Sequence, residues 1–280
     1  MKIKPEKILI VGLGLMGASL AAALRRQNPR LKIAAVSRNR SALALALKKR
    51  WIDEGSPDLA KVIQGVDFAV LCTPVDVEAA QLVRIDHAAQ QPLVVTDVGS
   101  VKGVLSSQLS RKKFKHLTFV PAHPMVGSHE QGAQAARENL YAGGLVFIIK
   151  SVKQNARAFK LVQEFWSSLG MKLFIVTSAR HDAIVADISH LPHAAAACLV
   201  SAVGSGHLPF AASGFRDTTR VAAAHPSVWE PIFLANAREV DRALGRFEKH
   251  IKTLRALIRS KDSKGLRRKL LFSSRRRQEI

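Results

Sequence analysis

Cysteine is almost absent: Cys72 and Cys198 are the only two in 280 residues, far apart in sequence and each in apolar surroundings. That argues against a disulfide framework and a structural zinc site, and it points to a reducing, cytoplasmic setting. Aromatic residues are scarce as well, at 6% with one tyrosine. The interleaving of aromatic and basic side chains that stacks single-stranded nucleic acid is therefore missing, and no nucleic-acid partner is expected. Acidic residues are few: 21 Asp and Glu stand against 43 Lys and Arg, for a net charge of +22. The excess is uneven, because residues 249–280 alone carry a net +10. The uncharged stretch 8–24 has 17 residues, short of the ~20 that a membrane helix needs. It contains three glycines, and Glu6 interrupts the basic residues before it. It therefore reads as folded protein rather than a signal peptide, and no membrane partner is expected.

What remains is globular composition, 48% hydrophobic and 23% charged, in a chain long enough for one large domain or two modest ones. Short apolar runs at 7–12, 32–37, 68–73, 93–97, 117–122 and 145–149 alternate with helical stretches at 16–27, 41–50, 75–83 and 102–110. This is the pattern of a doubly wound parallel sheet, with six strands expected. Beyond residue 150 helical patterns take over, at 155–169, 179–203 and 226–246, and 172–176 is the one further strand signal. The expected organisation is an α/β Rossmann domain at 1–150, an all-helical domain at 151–262 and a basic tail at 263–280. Phe247, Ile251, Leu254 and Ile258 form an apolar stripe that should pack on a partner or on the helical core, with Arg275, Arg276 and Arg277 as a solvated, frayed end.

Gly12, Gly14 and Gly17 take the G-x-G-x-x-G spacing between the first strand and the first helix. Gly12 permits the tight turn, Gly14 lets backbone approach a pyrophosphate, Gly17 lets the helix pack on the sheet, and the helix N-terminus faces the phosphates. With Leu15 and Met16 in the same turn and Thr73 at the end of the third strand, these are the candidate cofactor contacts. The second strand ends in Ser37-Arg38-Asn39-Arg40, where an NAD-binding protein usually carries Asp or Glu. A hydroxyl with the guanidinium groups of Arg38 and Arg40 suits a 2′-phosphate, so NADP is expected rather than NAD.

Two motifs follow strands at the end of the sheet where ligands bind: Asp97-Val98-Gly99-Ser100-Val101-Lys102 and His123-Pro124-Met125-Val126-Gly127. In the helical half, Ser189-His190-Leu191-Pro192-His193 puts two histidines three apart on a helix that Pro192 should kink. No third ligand is well placed for a metal, and none is expected. Gly214-Phe215-Arg216-Asp217-Thr218-Thr219-Arg220 spaces two arginines four apart, able together to hold carboxylates if helical.

Taken together and in order, these motifs resemble the prephenate and arogenate dehydrogenases of tyrosine biosynthesis, over roughly residues 8–240. The resemblance implies a Rossmann domain followed by a helical domain that dimerises. It implies a cyclohexadienol dicarboxylate substrate, prephenate or arogenate, which loses hydride and CO2 as its ring becomes aromatic. It also implies site roles: His123 as the catalytic histidine that accepts a hydrogen bond from the reacting hydroxyl, Ser100 as a second contact to that hydroxyl, and His193, Arg216 and Arg220 as substrate-binding groups. Where many relatives carry a gating Glu two residues after Gly127, this chain has His129, with Glu130 next. His129 is therefore expected to place a pH-dependent charge at the substrate entrance. Another two-domain hydroxyacid dehydrogenase would share the glycine turn, but would typically use a catalytic lysine from the helical domain.

Overall fold

Strand β1 (Lys7–Val11), with the sequence KILIV, has no charge after its first residue, and its last four residues are buried. Such a strand must be covered on both faces, which is the setting of a parallel sheet between helices. The computed structural model, which describes residues 5–127, 130–151 and 154–279, shows that sheet. Its other strands are β2 (Lys32–Val36), β3 (Glu54–Ser56), β4 (Phe68–Leu71), β5 (Leu93–Asp97) and β6 (Leu117–Phe119), in the order β3-β2-β1-β4-β5-β6. Helices α1 (Leu15–Gln27), α2 (Arg40–Lys48), α3 (Glu78–Ala88) and α4 (Gly103–Leu109) alternate with them. Ile8 and Ile10 of β1 belong to the core on one face with Leu20 and Leu24 of α1, while Leu9 and Val11 join Leu82 and Ile85 of α3 on the other. Register sets the carboxyl ends level: Val11 pairs with Val36 and Leu71, and Leu71 with Asp97. One edge of the sheet thus holds the glycine turn, the Ser37 loop, Thr73 and the Ser100 loop together.

The six-strand expectation holds in number but not in membership. β3 was not anticipated, and the run at 145–149 forms β8 (Leu145–Ile149) in a second, three-stranded sheet. There β8 lies antiparallel to β7 (Ala122–Pro124) and parallel to β9 (Lys172–Val176). The run at 117–122 is accordingly split between β6 and β7, and His123 stands inside β7 rather than in a loop after a strand. Because α5 (Ala156–Ser168) and β9 complete this second layer, the α/β part continues through Val176, past the expected boundary at 150.

From α6 (Ser178–Val185) onward the described chain is helical: α7 (Leu191–Ala202), α8 (Ser213–Thr219), α9 (Pro226–Ala235), α10 (Ala237–Arg259) and α11 (Ser263–Arg277), with short 3-10 turns between some of them. Between α6 and α7 the chain makes a π-helical turn, Ala186–His190, in which the Leu191 amide donates to the Ala186 carbonyl. Pro192 has no amide to offer an ordinary helical bond, and this wider turn immediately before it takes up the kink expected there. The run Ser178–Ala202 is long and apolar enough to cross a membrane by composition alone, and little of it is buried within one chain. The tail is not frayed: α11 runs to Arg277, its start capped by the Asp262 carboxylate accepting from the Gly265 amide at 2.9 Å. The stripe residues Phe247, Ile251 and Ile258 are exposed on a single chain.

Candidate active site

The glycine turn has the strain and the close contacts that its spacing implies. Gly12 takes φ +99°, and a Cβ there would meet the Cys72 carbonyl oxygen at 2.6 Å. A Cβ on Gly17 would collide with the Gly12 carbonyl. At Gly14, by contrast, nothing lies within 4 Å of where a Cβ would stand. Gly14 is the N-cap of α1 and offers no side-chain cap to the first amides of the helix. Beside them the Thr73 hydroxyl is buried with no hydrogen-bond partner among the described residues. An uncapped helix start open at Gly14, with the buried Thr73 hydroxyl beside it, fits a dinucleotide pyrophosphate. At the next strand end, Asn39 is occupied as the cap of α2, accepting from the Ala42 amide at 3.0 Å. Ser37 stays half-buried, and Arg38 and Arg40 are exposed beside it.

Behind the next loop lies a cluster of buried ionisable groups. Asp97 and Lys102 are fully buried and form an ion pair. The remaining acceptor capacity of Asp97 is taken by the Gly99 amide at 3.0 Å and the Ala122 amide at 2.9 Å. A single carboxylate therefore holds the Ser100 loop against the strand that carries His123. Glu78 is buried in the same cluster, its carboxyl set against that of Asp97. Burial first, and then repulsion from Asp97, push its carboxyl well above its ordinary value of 4.5, with Lys102 opposing. Because its folded-state value is raised, Glu78 carries a signed expectation for stability. It contributes stability that is fully present below pH 4.5 and is lost as pH rises toward the folded-state value. Glu78→Gln should therefore make the melting temperature less sensitive to pH across that range. A slope identical to that of the parent in thermal melts at several pH values would show that Glu78 ionises normally.

His123 is 7% exposed, and its Nδ1 lies 2.9 Å from Nε2 of His181, 58 residues further along. His181 is fully buried, and its Nδ1 lies 2.7 Å from the Asp182 carboxylate. Asp182 in turn accepts from the Lys102 amide at 2.9 Å and the Gly103 amide at 2.7 Å. The helical half is thereby fastened to the Ser100 loop. Burial pushes His123 well below 6.5, with the positive charge of Lys102 and the neighbouring His181 and His190 acting in the same direction. Burial also lowers His181, against the opposing pull of Asp182.

Asn236 continues the connection, donating to the Asp182 carbonyl at 2.9 Å and lying 3.2 Å from Nδ1 of His190. Burial brings His190 down to about 4. The His193 ring stacks on Trp229 at 3.7 Å between centroids, with Phe233 close by, and its Nδ1 is buried with no hydrogen-bond partner among the described residues. Arg220 caps α8 and opens a 3-10 turn, so Arg216 and Arg220 stay about one turn apart, both exposed on a single chain. His129 lies outside the described residues. Glu130 pairs with Arg137. The structure thus joins His123 to the Ser100 loop and leads through Asn236 to His190, which shares Trp229 with the stacked His193. It adds His181, Asp182, Trp229 and Asn236, which no motif had marked.

The comparisons with known proteins bear on this arrangement. A family model described as the nucleotide-binding domain of prephenate dehydrogenase matches residues 20–175, and one described as its dimerization domain matches 177–272. The chain belongs to the prephenate dehydrogenase family. It is 29% identical to the prephenate dehydrogenase of Bacillus subtilis over 93% of its own length and 72% of that protein. It is also 29% identical to the cyclohexadienyl dehydrogenase of Zymomonas mobilis, over 92% of this chain and 90% of that one. Among solved structures, it superposes on Aquifex aeolicus prephenate dehydrogenase in complex with hydroxyphenyl propionate and NAD+ with a TM-score of 0.93. Identity there is 32%, over 100% of both chains. Synechocystis arogenate dehydrogenase gives 0.80 at 30% identity, over 98% of this chain and 99% of that one. As a member of this family the protein is an oxidoreductase that oxidatively decarboxylates prephenate or arogenate with a nicotinamide cofactor.

Proposed function

We propose that this prephenate/arogenate dehydrogenase uses NADP, with His123 as the group that polarises the reacting hydroxyl. The observation that carries this reading is a buried histidine kept neutral on β7, whose Ala122 amide is bonded to Asp97 at the carboxyl end of the parallel sheet, where the glycine turn suits a dinucleotide pyrophosphate. A neutral imidazole accepts a hydrogen bond from the substrate hydroxyl as the carbon bearing it gives up hydride, and the hydroxyl keeps its proton in the phenolic product. Ser100, held beside β7 by the Asp97 bonds, is the second contact to that oxygen. His193, Arg216 and Arg220 bind the substrate, the two cations answering its two carboxylates. Gly12, Gly14, Leu15, Met16, Gly17 and Thr73 hold the pyrophosphate side of the cofactor, and the bound nicotinamide supplies the hydride acceptor. The apolar helical half forms a homodimer, and the two free cysteines suit a reducing cytoplasm.

Preference for NADP rests on Ser37, Arg38 and Arg40 in place of a carboxylate. Removing both guanidinium groups in Arg38→Ala/Arg40→Ala should raise KM for NADP roughly tenfold or more while leaving KM for NAD within about twofold. Steady-state assays of prephenate and arogenate with both cofactors test the whole reading. Strong preference of the parent enzyme for NAD would remove the 2′-phosphate assignment, and turnover of neither substrate with either cofactor would remove the function.

A further inference from the structure

We infer that Asp182 and His181 form a positioning relay that fixes which nitrogen of His123 is free to accept a hydrogen bond. This rests on the proposed role of His123 and extends it to two residues outside the substrate contacts.

The assignment follows from donor and acceptor counting along the chain. Asp182 already accepts from two backbone amides, those of Lys102 and Gly103, and each of its oxygens takes one of them. A carboxylate so used is ionised and can only accept from His181, so the proton of His181 sits on Nδ1. A neutral His181 then presents an unprotonated Nε2, and the nitrogen 2.9 Å away, Nδ1 of His123, must be the donor. The proton of neutral His123 is therefore spent on His181, and its Nε2 is left as the acceptor. That is the form needed to take a hydrogen bond from a substrate hydroxyl. The other neutral tautomer would set two lone pairs against each other across the His123–His181 contact.

The surroundings keep the relay from rearranging. The Phe147 ring meets His181 edge-on at 5.3 Å and 84°, so that side of the imidazole has no competing polar partner. Asn236 holds the Asp182 backbone through its carbonyl. His181 is itself kept neutral by burial, which leaves Asp182 as the fixed charge at the far end. The arrangement has the logic of a catalytic triad in which the buried carboxylate sets a tautomer rather than carrying a proton. Here one imidazole stands between the carboxylate and the working histidine.

The direct test reads the tautomer. In the parent enzyme labelled with 15N-histidine, long-range proton–nitrogen spectra at neutral pH should show His123 protonated at Nδ1 and bare at Nε2, with His123→Asn identifying the signals. A His123 ring protonated at Nε2 overturns the inference, and this reading needs no variant at position 181 to fold. Kinetics supply the second arm. His181→Leu should lower kcat about a hundredfold or more, as loss of a tautomer-setting partner does elsewhere, with KM for substrate and cofactor within about twofold. His181→Gln, whose amide oxygen can still accept from Nδ1 of His123, should recover much of that loss. Unchanged kcat in His181→Leu, or a loss seen only in KM, would sink the relay. Failure of the parent enzyme to turn over either substrate would count against the proposed function instead, and the tautomer spectrum would still decide the relay.

Discussion

Replacing His123 with Asn is expected to cut kcat by about 10²- to 10⁴-fold, the range a positioned acid–base group supplies, with KM values little changed. The parent pH profile should carry the mark of the same residue. The working form of His123 is neutral, and burial holds its pKa well below 6.5. Activity should therefore stay flat as pH falls through 6.5 and decline only further down, and a midpoint at or above 6.5 in kcat/KM would contradict the buried, neutral base. Stability has a different acid limit. His123, His181, His190 and His193 all have lowered values in the folded protein. Each contributes stability that is complete above 6.5 and is lost as pH falls from 6.5 through the folded-state value. Four groups titrating the same way should make the fold yield to acid before the base is fully protonated.

The second large effect is expected at Lys102→Met. Lys102 and Asp97 are both fully buried, and removing the ammonium leaves a buried carboxylate beside Glu78 with no counter-charge. Breaking one side of a buried pair costs about 3–5 kcal/mol, which in a chain of this size lowers the melting temperature by on the order of 10 °C. Asp97→Asn in the same background should restore part of the loss, since the uncompensated charge goes with it. Lys102 is also a cation that depresses His123, so the acid limb of activity in Lys102→Met should move upward. A variant as stable as the parent, measured by thermal and urea melts, would mean that Asp97 is neutral in the folded protein.

The glycine turn could be read from the sequence because its chemistry is local: a left-handed Gly12 and a helix pressed against the Gly12 carbonyl at Gly17 each require glycine, whatever the rest of the chain does. Strand β8 was legible as a strand and misplaced as a neighbour, since alternation reports burial and not partnership. β3, three residues containing a glycine, is too short to show any period. His181 and Asp182 carried no signal at all. Their meaning depends on His123, 58 residues away, and on the Lys102 amide, 80 residues away, and only the folded chain brings these together. The stripe on α10 was visible as a pattern, but the helical core does not cover it: Phe247, Ile251 and Ile258 are exposed.

The π-helical turn at Ala186–His190 amounts to one extra residue in an otherwise continuous rod. One residue turns a helix by about 100°, so the turn acts as a fixed angular offset between the half that presents His181 and Asp182 and the half that presents His193. Converting this turn to ordinary α-helix with every residue kept would keep the rod nearly straight and swing everything after it by about that angle, lifting His193 off Trp229 while His181 stayed against His123. The two ends of the site are therefore phased by a count of residues along one helix.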